Sequence, residues 1–96
     1  MQTLKINGEN FSDLETFYDE IDRVLTKNLK WKTGHNLDAF NDLLRGGFGV
    51  FEYGEPITII WTNFSISKQT LGEKQTDILL DIITDHKHII LLTEEV

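Results

Sequence analysis

A chain of 96 residues with 40% hydrophobic and 26% charged residues is long enough for one hydrophobic core, so we expect a single domain over residues 1–96. The sequence has no cysteine, which excludes disulfide bonds, thiol nucleophiles and thiolate metal sites, and it has no apolar run long enough to span a membrane. Its net charge of −7 argues against direct contact with nucleic acid or an anionic membrane, and suits either a basic protein partner or simple solubility.

The first two elements are predicted to be a strand and a long helix. Residues 3–6 alternate between polar and apolar and precede an Asn-Gly turn signal, which indicates a short strand. Ser12 and Glu15 have the spacing of a capping box, and apolar residues then recur at helical intervals, so we predict a helix over residues 13–29. The acidic residues expected on its solvent side are Asp13, Glu15, Asp19, Glu20 and Asp22.

A connector that contains Trp31 leads to a second, shorter helix. The Trp31 ring either packs on the core or contacts a partner, and the sequence leaves both open. Asn36 is expected to cap this helix, because its side-chain oxygen can accept a backbone N–H of the first turn. Leu37, Phe40 and Leu44 form one apolar stripe, so we expect these three side chains in the core.

The opposite face of the second helix carries Asp38, Asn41 and Asp42. Asp38 lies in the first turn, where the helix dipole favours a negative charge. Asp42 meets a like charge one turn earlier, at a cost of roughly 0.2–0.5 kcal/mol that Arg45 can offset. Local conflicts of this kind are typical of functional positions, and a merely solvated acidic face is the alternative. Arg45 and Gly46 are expected to end the helix.

The rest of the chain predicts a loop, two strands and a further helix. Four glycines and three aromatics within residues 46–56 indicate an irregular loop of the kind that often binds partners. The β-branched run 57–61 indicates a strand that is central in a sheet or covered on both faces. One helical turn is expected near 66–70, a helix over 73–85 and a strand over 88–92. The buried face of that helix is expected to consist of Ile78, Leu79, Ile82 and Ile83.

These elements follow the order strand, helix, helix, strand, helix, strand. Such an order implies parallel strands joined by crossover connections. We therefore expect a two-layer α/β domain, in which a three-stranded parallel sheet packs against about three main helices.

Metal binding and catalysis find little support in the sequence. His35, Asp38 and Asp42 could together ligate a divalent ion, but His35 lies outside the helix and no fourth ligand is nearby. His86 and His88 are two residues apart and are interpreted as surface residues. The sequence shows no nucleophile–base pair and no phosphate-binding loop, so we expect no cofactor, no metal and no catalysis. A small hydrolase or metalloprotein that uses the first three residues is the alternative.

Carboxylates at a fixed spacing on a rigid helix suit the imitation of phosphates. A nuclease active site grips RNA phosphates with Arg, Lys and His side chains, and carboxylates can occupy the same positions without being cleaved. Charge-assisted hydrogen bonds to Arg are strong, and the field of an acidic protein accelerates its association with a basic one. The second helix therefore suits the inhibition of a nuclease.

Residues 34–44, Gly-His-Asn-Leu-Asp-Ala-Phe-Asn-Asp-Leu-Leu, resemble the signature of the barstar family, intracellular inhibitors of barnase-type ribonucleases. The Ile6-Asn7-Gly8 segment, the strand ending at Trp61 and the Ser67-Lys68-Gln69 segment extend the resemblance over nearly the full chain. The resemblance implies a three-stranded parallel sheet flanked by helices. It also implies that the second helix and the loop before it insert into the ribonuclease active site.

By position, the resemblance makes Asp42 the main residue that enters the ribonuclease active site, with Asp38 beside it. A further acidic contact on the last helix would be Asp81 or Asp85. The full set of expected partner-binding residues is Gly34, His35, Asn36, Leu37, Asp38, Asn41, Asp42, Arg45, Gly46 and Phe48.

The chain also departs from the family pattern. Lys32 and Thr33 stand where the family has an aromatic pair, His35 replaces an acidic residue, and Phe48 only roughly matches an aromatic that follows the second helix. These departures point to a target whose shape differs. The sequence thus predicts a cytoplasmic protein without catalytic activity, monomeric when free, that binds a basic ribonuclease; a module of the same fold for another basic protein is the alternative.

Overall fold

The computed structural model describes residues 2–26 and 34–95. Trp31, Lys32 and Thr33, and positions 27–29 of the predicted first helix, lie outside the described residues. A single 3-10 turn, Gly8–Asn10, follows the first strand. The described strands and helices, in chain order, are β1 Gln2–Asn7, α1 Leu14–Leu25, α2 Leu37–Leu44, β2 Ile57–Thr62, α3 Phe64–Leu71, α4 Glu73–Thr84 and β3 Ile89–Thr93.

The three strands form one parallel sheet in the order β1-β2-β3, with Ile6 opposite Trp61 and Trp61 opposite Thr93. The expected α/β fold is confirmed, with four helices in the described part of the chain where about three were predicted. Side chains alternate along β2: Ile57, Ile59 and Trp61 are fully buried, whereas the residues between them are only half-buried. The central position predicted for β2 is correct, but coverage of both of its faces is not.

Aromatic packing fixes α1 against the sheet and α2 against α1. The ring of Phe17 on α1 lies 5.8 Å from the Trp61 ring on β2 and 5.3 Å from the Phe40 ring on α2. The Phe17–Phe40 pair is edge-on and the Phe17–Trp61 pair is tilted. Aromatic pairs of this kind stabilise a core beyond the apolar area they bury. The Trp61 indole N–H also donates to the buried Ser67 hydroxyl of α3 at 2.9 Å. Helix α2 therefore packs against a rigid part of the core.

The first helix begins and ends differently from its prediction. The capping box joins Asp13 and Thr16, whose backbone N–H donates to Asp13 Oδ1 at 2.8 Å, so the cap is one residue later than the Ser12–Glu15 spacing suggested. The helix ends at Leu25, because Thr26 is extended and forms an antiparallel bridge with Gly49. Long-range pairing thus overrides a helical periodicity that continues in the sequence.

One acidic residue of α1 is a core residue instead of a solvated one. Glu20 is buried and accepts hydrogen bonds from the Asn7 backbone N–H at 2.9 Å and from Arg23, as well as from the Asn10 side chain. Burial raises the pKa of Glu20, but the hydrogen bonds from Arg23, Asn7 and Asn10 outweigh it and leave the pKa below its ordinary value. Glu20 therefore joins α1 to the end of β1.

Helices α3 and α4 are also corrected in part. The single turn predicted near 66–70 is an eight-residue helix, because Ser67 and Leu71 both pack into the core. Helix α4 matches its prediction within a residue, but Ile78 is exposed and Thr76 takes a buried position instead. Within residues 2–26 and 34–95, no helix combines the length and the apolar character that crossing a membrane requires.

Candidate protein-binding site on helix α2

Both ends of α2 are fixed as the sequence predicts. Asn36 caps the first turn, since its Oδ1 accepts the Ala39 backbone N–H at 2.8 Å. Gly46 ends the helix with a φ of 96°, and its N–H donates to the Leu43 carbonyl at 3.1 Å. A side chain at Gly46 would clash with the Glu52 carbonyl and approach the Phe51 ring to 2.9 Å, so only glycine fits there. The short helix is thus held at both termini.

The inner face of α2 differs from the predicted stripe by one residue. Phe40, Leu43 and Leu44 are buried, whereas Leu37 keeps 36% of its surface exposed. Leu37 belongs to the first turn and lies at the edge of the core, so the prediction that it is a core residue is wrong. It lines an apolar groove of about 160 Å³ together with Leu14, Gln75, Ile78 and Leu79.

The outer face of α2 presents its carboxylates to solvent. Asp38 is exposed, and the Asp42 side chain keeps 65% of its surface accessible. The nearest cation to Asp42 in the described chain is Arg45, whose Nη1 lies 3.6 Å from Asp42 Oδ1 and whose side chain is half-exposed. This separation is too long for a hydrogen bond, and such exposed pairs contribute about 0–1 kcal/mol. Asp42 is therefore accessible to a stronger cationic partner.

His35 turns away from these carboxylates and contacts α1. Its Nε2 lies 3.0 Å from Asp22 Oδ2 and 3.8 Å from Asp19 Oδ1, its Nδ1 bonds Glu15, and its side chain is only 12% exposed. Hydrogen bonds to Glu15 and Asp22 raise the pKa of His35 and so favour its charged form. The imidazole ties the entry of α2 to α1, together with the Tyr18 ring 5.6 Å away.

This geometry argues against the alternative in which His35, Asp38 and Asp42 ligate a metal, because the His35 ring contacts α1 instead. Within the residues that the structure describes, no group of three or more His, Cys, Asp or Glu side chains is arranged to hold a metal ion.

Gly34, next to His35, is exposed, and a side chain there would press on Ala39 and Asn36 at 3.2 Å. The absence of a side chain leaves the backbone of this loop open to contact.

Two histidines that sequence reasoning treated as surface residues instead hold the other end of α2. His86 Nε2 lies 2.7 Å from Asn41 Oδ1, and His88 Nε2 lies 2.8 Å from the Leu44 carbonyl oxygen. Burial lowers the pKa of His86, and the nearby His88 and Arg45 lower it further. The two-residue spacing showed that both rings share a side, but no sequence signal indicated that α2 would pack there.

The loop after α2 folds back on the helix end. The Gly54 N–H donates to the Arg45 carbonyl at 2.8 Å, and the Gly47 N–H donates to the Phe51 carbonyl at 2.8 Å. Phe51 is buried beneath the loop and Phe48 is half-buried, whereas Tyr53 is 75% exposed. Tyr53 is therefore the aromatic that this loop presents most openly, which the sequence left undecided.

The two acidic candidates on α4 are both exposed. Asp85 is the C-cap residue of the helix and lies next to His86, whose pKa its charge raises. Asp81 lies one helical turn earlier, where its carbonyl accepts the Asp85 N–H at 3.0 Å. Asp85 is thus the neighbour in sequence of His86, which bonds Asn41 of α2.

Comparison with known proteins agrees with this arrangement. The family model described as "Barstar (barnase inhibitor)" matches residues 1–94. A protein of Bacillus subtilis (strain 168) named "Putative ribonuclease inhibitor YrdF" is 30% identical over 79 residues, which is 82% of this chain and 79% of that protein. The family match spans α2, the sheet and the helices that support it.

Proposed function

This chain belongs to the barstar family, and we propose that it inhibits a barnase-type ribonuclease by covering the enzyme's active site with α2 and the loop before it. The observation that carries the proposal is the exposed pair Asp38 and Asp42 on a helix whose opposite face is anchored in the core. Binding costs less conformational entropy when the contacting groups are already rigid before association. Capping by Asn36 and the tie from His35 to α1 supply that rigidity.

In this proposal the carboxylates take the place of RNA phosphates. Asp42 contacts the Arg, Lys or His side chains that hold phosphate in the enzyme, and Asp38 supports it from one turn earlier. Bidentate contact with a guanidinium is strong and directional, and exclusion of water from the interface strengthens it. The net charge of −7 also speeds encounter with a basic enzyme at low salt.

The remaining contacts surround this acidic centre. Gly34 and Asn36 offer the backbone before α2, Leu37 offers an apolar side chain, and Phe48 belongs to the loop after the helix. Asn41 and Arg45 complete the surface at the C-terminal end, whereas the expected contact Gly46 is buried under Glu52 and Phe51 and acts only by forming the turn. His35 supports this surface from inside the protein and does not contact the enzyme through its ring, because both ring nitrogens contact carboxylates of α1. We place the complex in the cytoplasm and expect the free inhibitor to be a monomer that binds no RNA itself.

The proposal is tested by inhibition of RNA cleavage. Purified protein is titrated against barnase and other barnase-type ribonucleases with a fluorogenic RNA substrate, and we expect stoichiometric inhibition of at least one enzyme. The Asp42→Asn variant should lose inhibition, whereas Asp77→Asn, which removes the same charge from the exposed face of α4, should retain it. If no ribonuclease is inhibited and a basic protein of another class binds through Asp42, the family fold serves a different partner.

A further inference from the structure

A pocket of about 240 Å³ lies at the C-terminal end of α2. Its lining consists of Arg45, Tyr53, Gly54, His86 and His88. In a chain of net charge −7, this pocket gathers a guanidinium, two imidazoles and a phenol, with no carboxylate among its lining residues. The pocket therefore suits an anion, whereas the acidic face beside it suits a cation.

Arg45 supplies hydrogen-bond donors that the fold does not use. A guanidinium has five N–H donors, and within the described residues the only carboxylate within ion-pair distance of it is Asp42 at 3.6 Å, beyond hydrogen-bond distance. The side chain is half-exposed, while the Gly54 N–H bonds its carbonyl at 2.8 Å and fixes the backbone beneath it. The guanidinium is thus positioned at the pocket with its donors available.

The two imidazoles are held in one orientation. Each Nε2 lies against an oxygen acceptor, Asn41 Oδ1 at 2.7 Å for His86 and the Leu44 carbonyl at 2.8 Å for His88. Each Nε2 therefore carries the proton, and each Nδ1 has no partner in the part of the chain that the structure describes. The His86 ring can take up a second proton at Nδ1 when an anion enters beside it, and it then becomes a second donor.

We propose that this pocket binds a single carboxylate side chain of the partner ribonuclease. The proposal rests on the proposed function and adds to it a second, inverted charge contact: Asp42 meets a cation of the enzyme, while Arg45 meets a carboxylate of the enzyme. Charges arranged in both senses fix the register of an interface and reject partners that carry only one of them. A polyanion such as RNA fits poorly, because Asp42 lies 3.6 Å from Arg45 and the whole chain is acidic.

The pocket can be tested on the free protein with a model compound. N-acetylglutamate N-methylamide is titrated while the ring ¹H–¹³C signals of His86 and His88 are followed by NMR, with the neutral glutamine analogue as the control ligand. We expect saturable shifts with the carboxylate only. Burial lowers the pKa of His86, His88 and Arg45 lower it further, and Asp85 opposes them. We also expect this pKa to rise on binding, because the added carboxylate offsets the two positive groups.

Variants separate the pocket from general charge effects. Arg45→Gln should raise the Kd of the compound by at least about tenfold, whereas Lys87→Gln should leave this Kd within a factor of about two of the parent value. Lys87 is exposed between the two histidines but does not line the pocket. Its substitution therefore removes the same charge close to the pocket without changing the lining. Equal shifts with the glutamine analogue, equal losses in both variants, or tighter binding of a tetraribonucleotide would each overturn the proposal.

The inhibition assay distinguishes the failure of this proposal from that of the function. If Asp42→Asn abolishes inhibition and Arg45→Gln leaves it unchanged, the pocket makes no contact and the inhibitor role stands. If Asp42→Asn leaves inhibition unchanged, the acidic face is not the binding centre, and if the parent protein inhibits no ribonuclease, the inhibitor role fails. In both cases the titration of the free protein still decides whether the pocket takes a carboxylate. Thermal melting of Arg45→Gln, a half-exposed residue, checks that the variant is folded.

Discussion

His35 Nε2 lies 3.0 Å from Asp22 Oδ2, which joins the residue before the α2 cap to the last turn of α1. The two residues are 13 positions apart; Asp19 also lies near Nε2, at 3.8 Å, and Glu15 bonds the other ring nitrogen, Nδ1. The positive charge of His35 therefore stabilises three carboxylates that would otherwise repel one another. This cluster sets the position from which α2 presents Asp38 and Asp42.

The His35 contact should make stability depend on pH. Because the folded state raises the pKa of His35 above its ordinary value of 6.5, its contribution is fully present below pH 6.5 and is lost as the pH rises through the raised value. We expect His35→Gln to lower the free energy of unfolding by about 1 kcal/mol at pH 6 and by much less at pH 9. Urea unfolding at both pH values measures this, and an equal loss at both would contradict it.

Asp42→Asn should weaken binding to the ribonuclease without affecting the fold. The variant leaves a partner cation desolvated and unpaired, which costs about 2–5 kcal/mol, or roughly 30- to 5,000-fold in Kd. Its own fold loses only the loose contact with Arg45. Surface plasmon resonance gives the Kd and urea unfolding the stability. A Kd within a factor of about two of the parent protein would count against the acidic face as the binding centre.

Leu37 and Leu44 should separate binding from folding. Leu44 is fully buried, so Leu44→Ala should cost about 2–5 kcal/mol of stability. Leu37 is 36% exposed beside the groove, so Leu37→Ala should cost no more than about 1 kcal/mol of stability and still weaken ribonuclease binding. Unfolding curves and binding isotherms of both variants provide the comparison. The opposite ranking of stabilities would mean that Leu37 belongs to the core after all.

Gly46 and Gly47 offer a matched pair for the turn after α2. Both have a positive φ, of 96° and 89°, so alanine should cost about 1–2 kcal/mol at either position through backbone strain. At Gly46 the new methyl also meets the Glu52 backbone and the Phe51 ring, whereas at Gly47 it meets open space. Gly46→Ala should therefore lose at least about 1 kcal/mol more than Gly47→Ala in urea unfolding. Similar losses would show that the loop relaxes around the methyl.

Glu20 should contribute to stability only while it is ionised. Its hydrogen bonds from Arg23, Asn7 and Asn10 lower its pKa despite burial, so its contribution is present above about pH 4.5 and is lost as the pH falls through the lowered value. Glu20→Gln should cost about 2 kcal/mol at pH 7. The exposed Glu9→Gln serves as the control and should be neutral. A loss for Glu20→Gln that does not shrink in acid would refute this account.

The sequence by itself determined the elements whose signals are local. Asn36, the apolar spacing of Phe40 and Leu44, and the glycine that follows Arg45 all act within one or two helical turns, so they specify α2 and its acidic outer face. The order of strands and helices likewise specified a parallel sheet. These features follow from hydrogen bonding and periodicity between near neighbours.

The tertiary structure alone decided which polar side chains are used internally. Glu20 meets Asn7 across 13 residues, His86 meets Asn41 across 45, and Thr26 ends α1 by pairing with Gly49. A carboxylate or imidazole looks alike in sequence whether it is solvated or paired, because its state depends on which distant group the packing brings within 3 Å. That is why the acidic face of α2 could be anticipated from local spacing, while the tie at His35 and the pocket at Arg45 required the assembled fold.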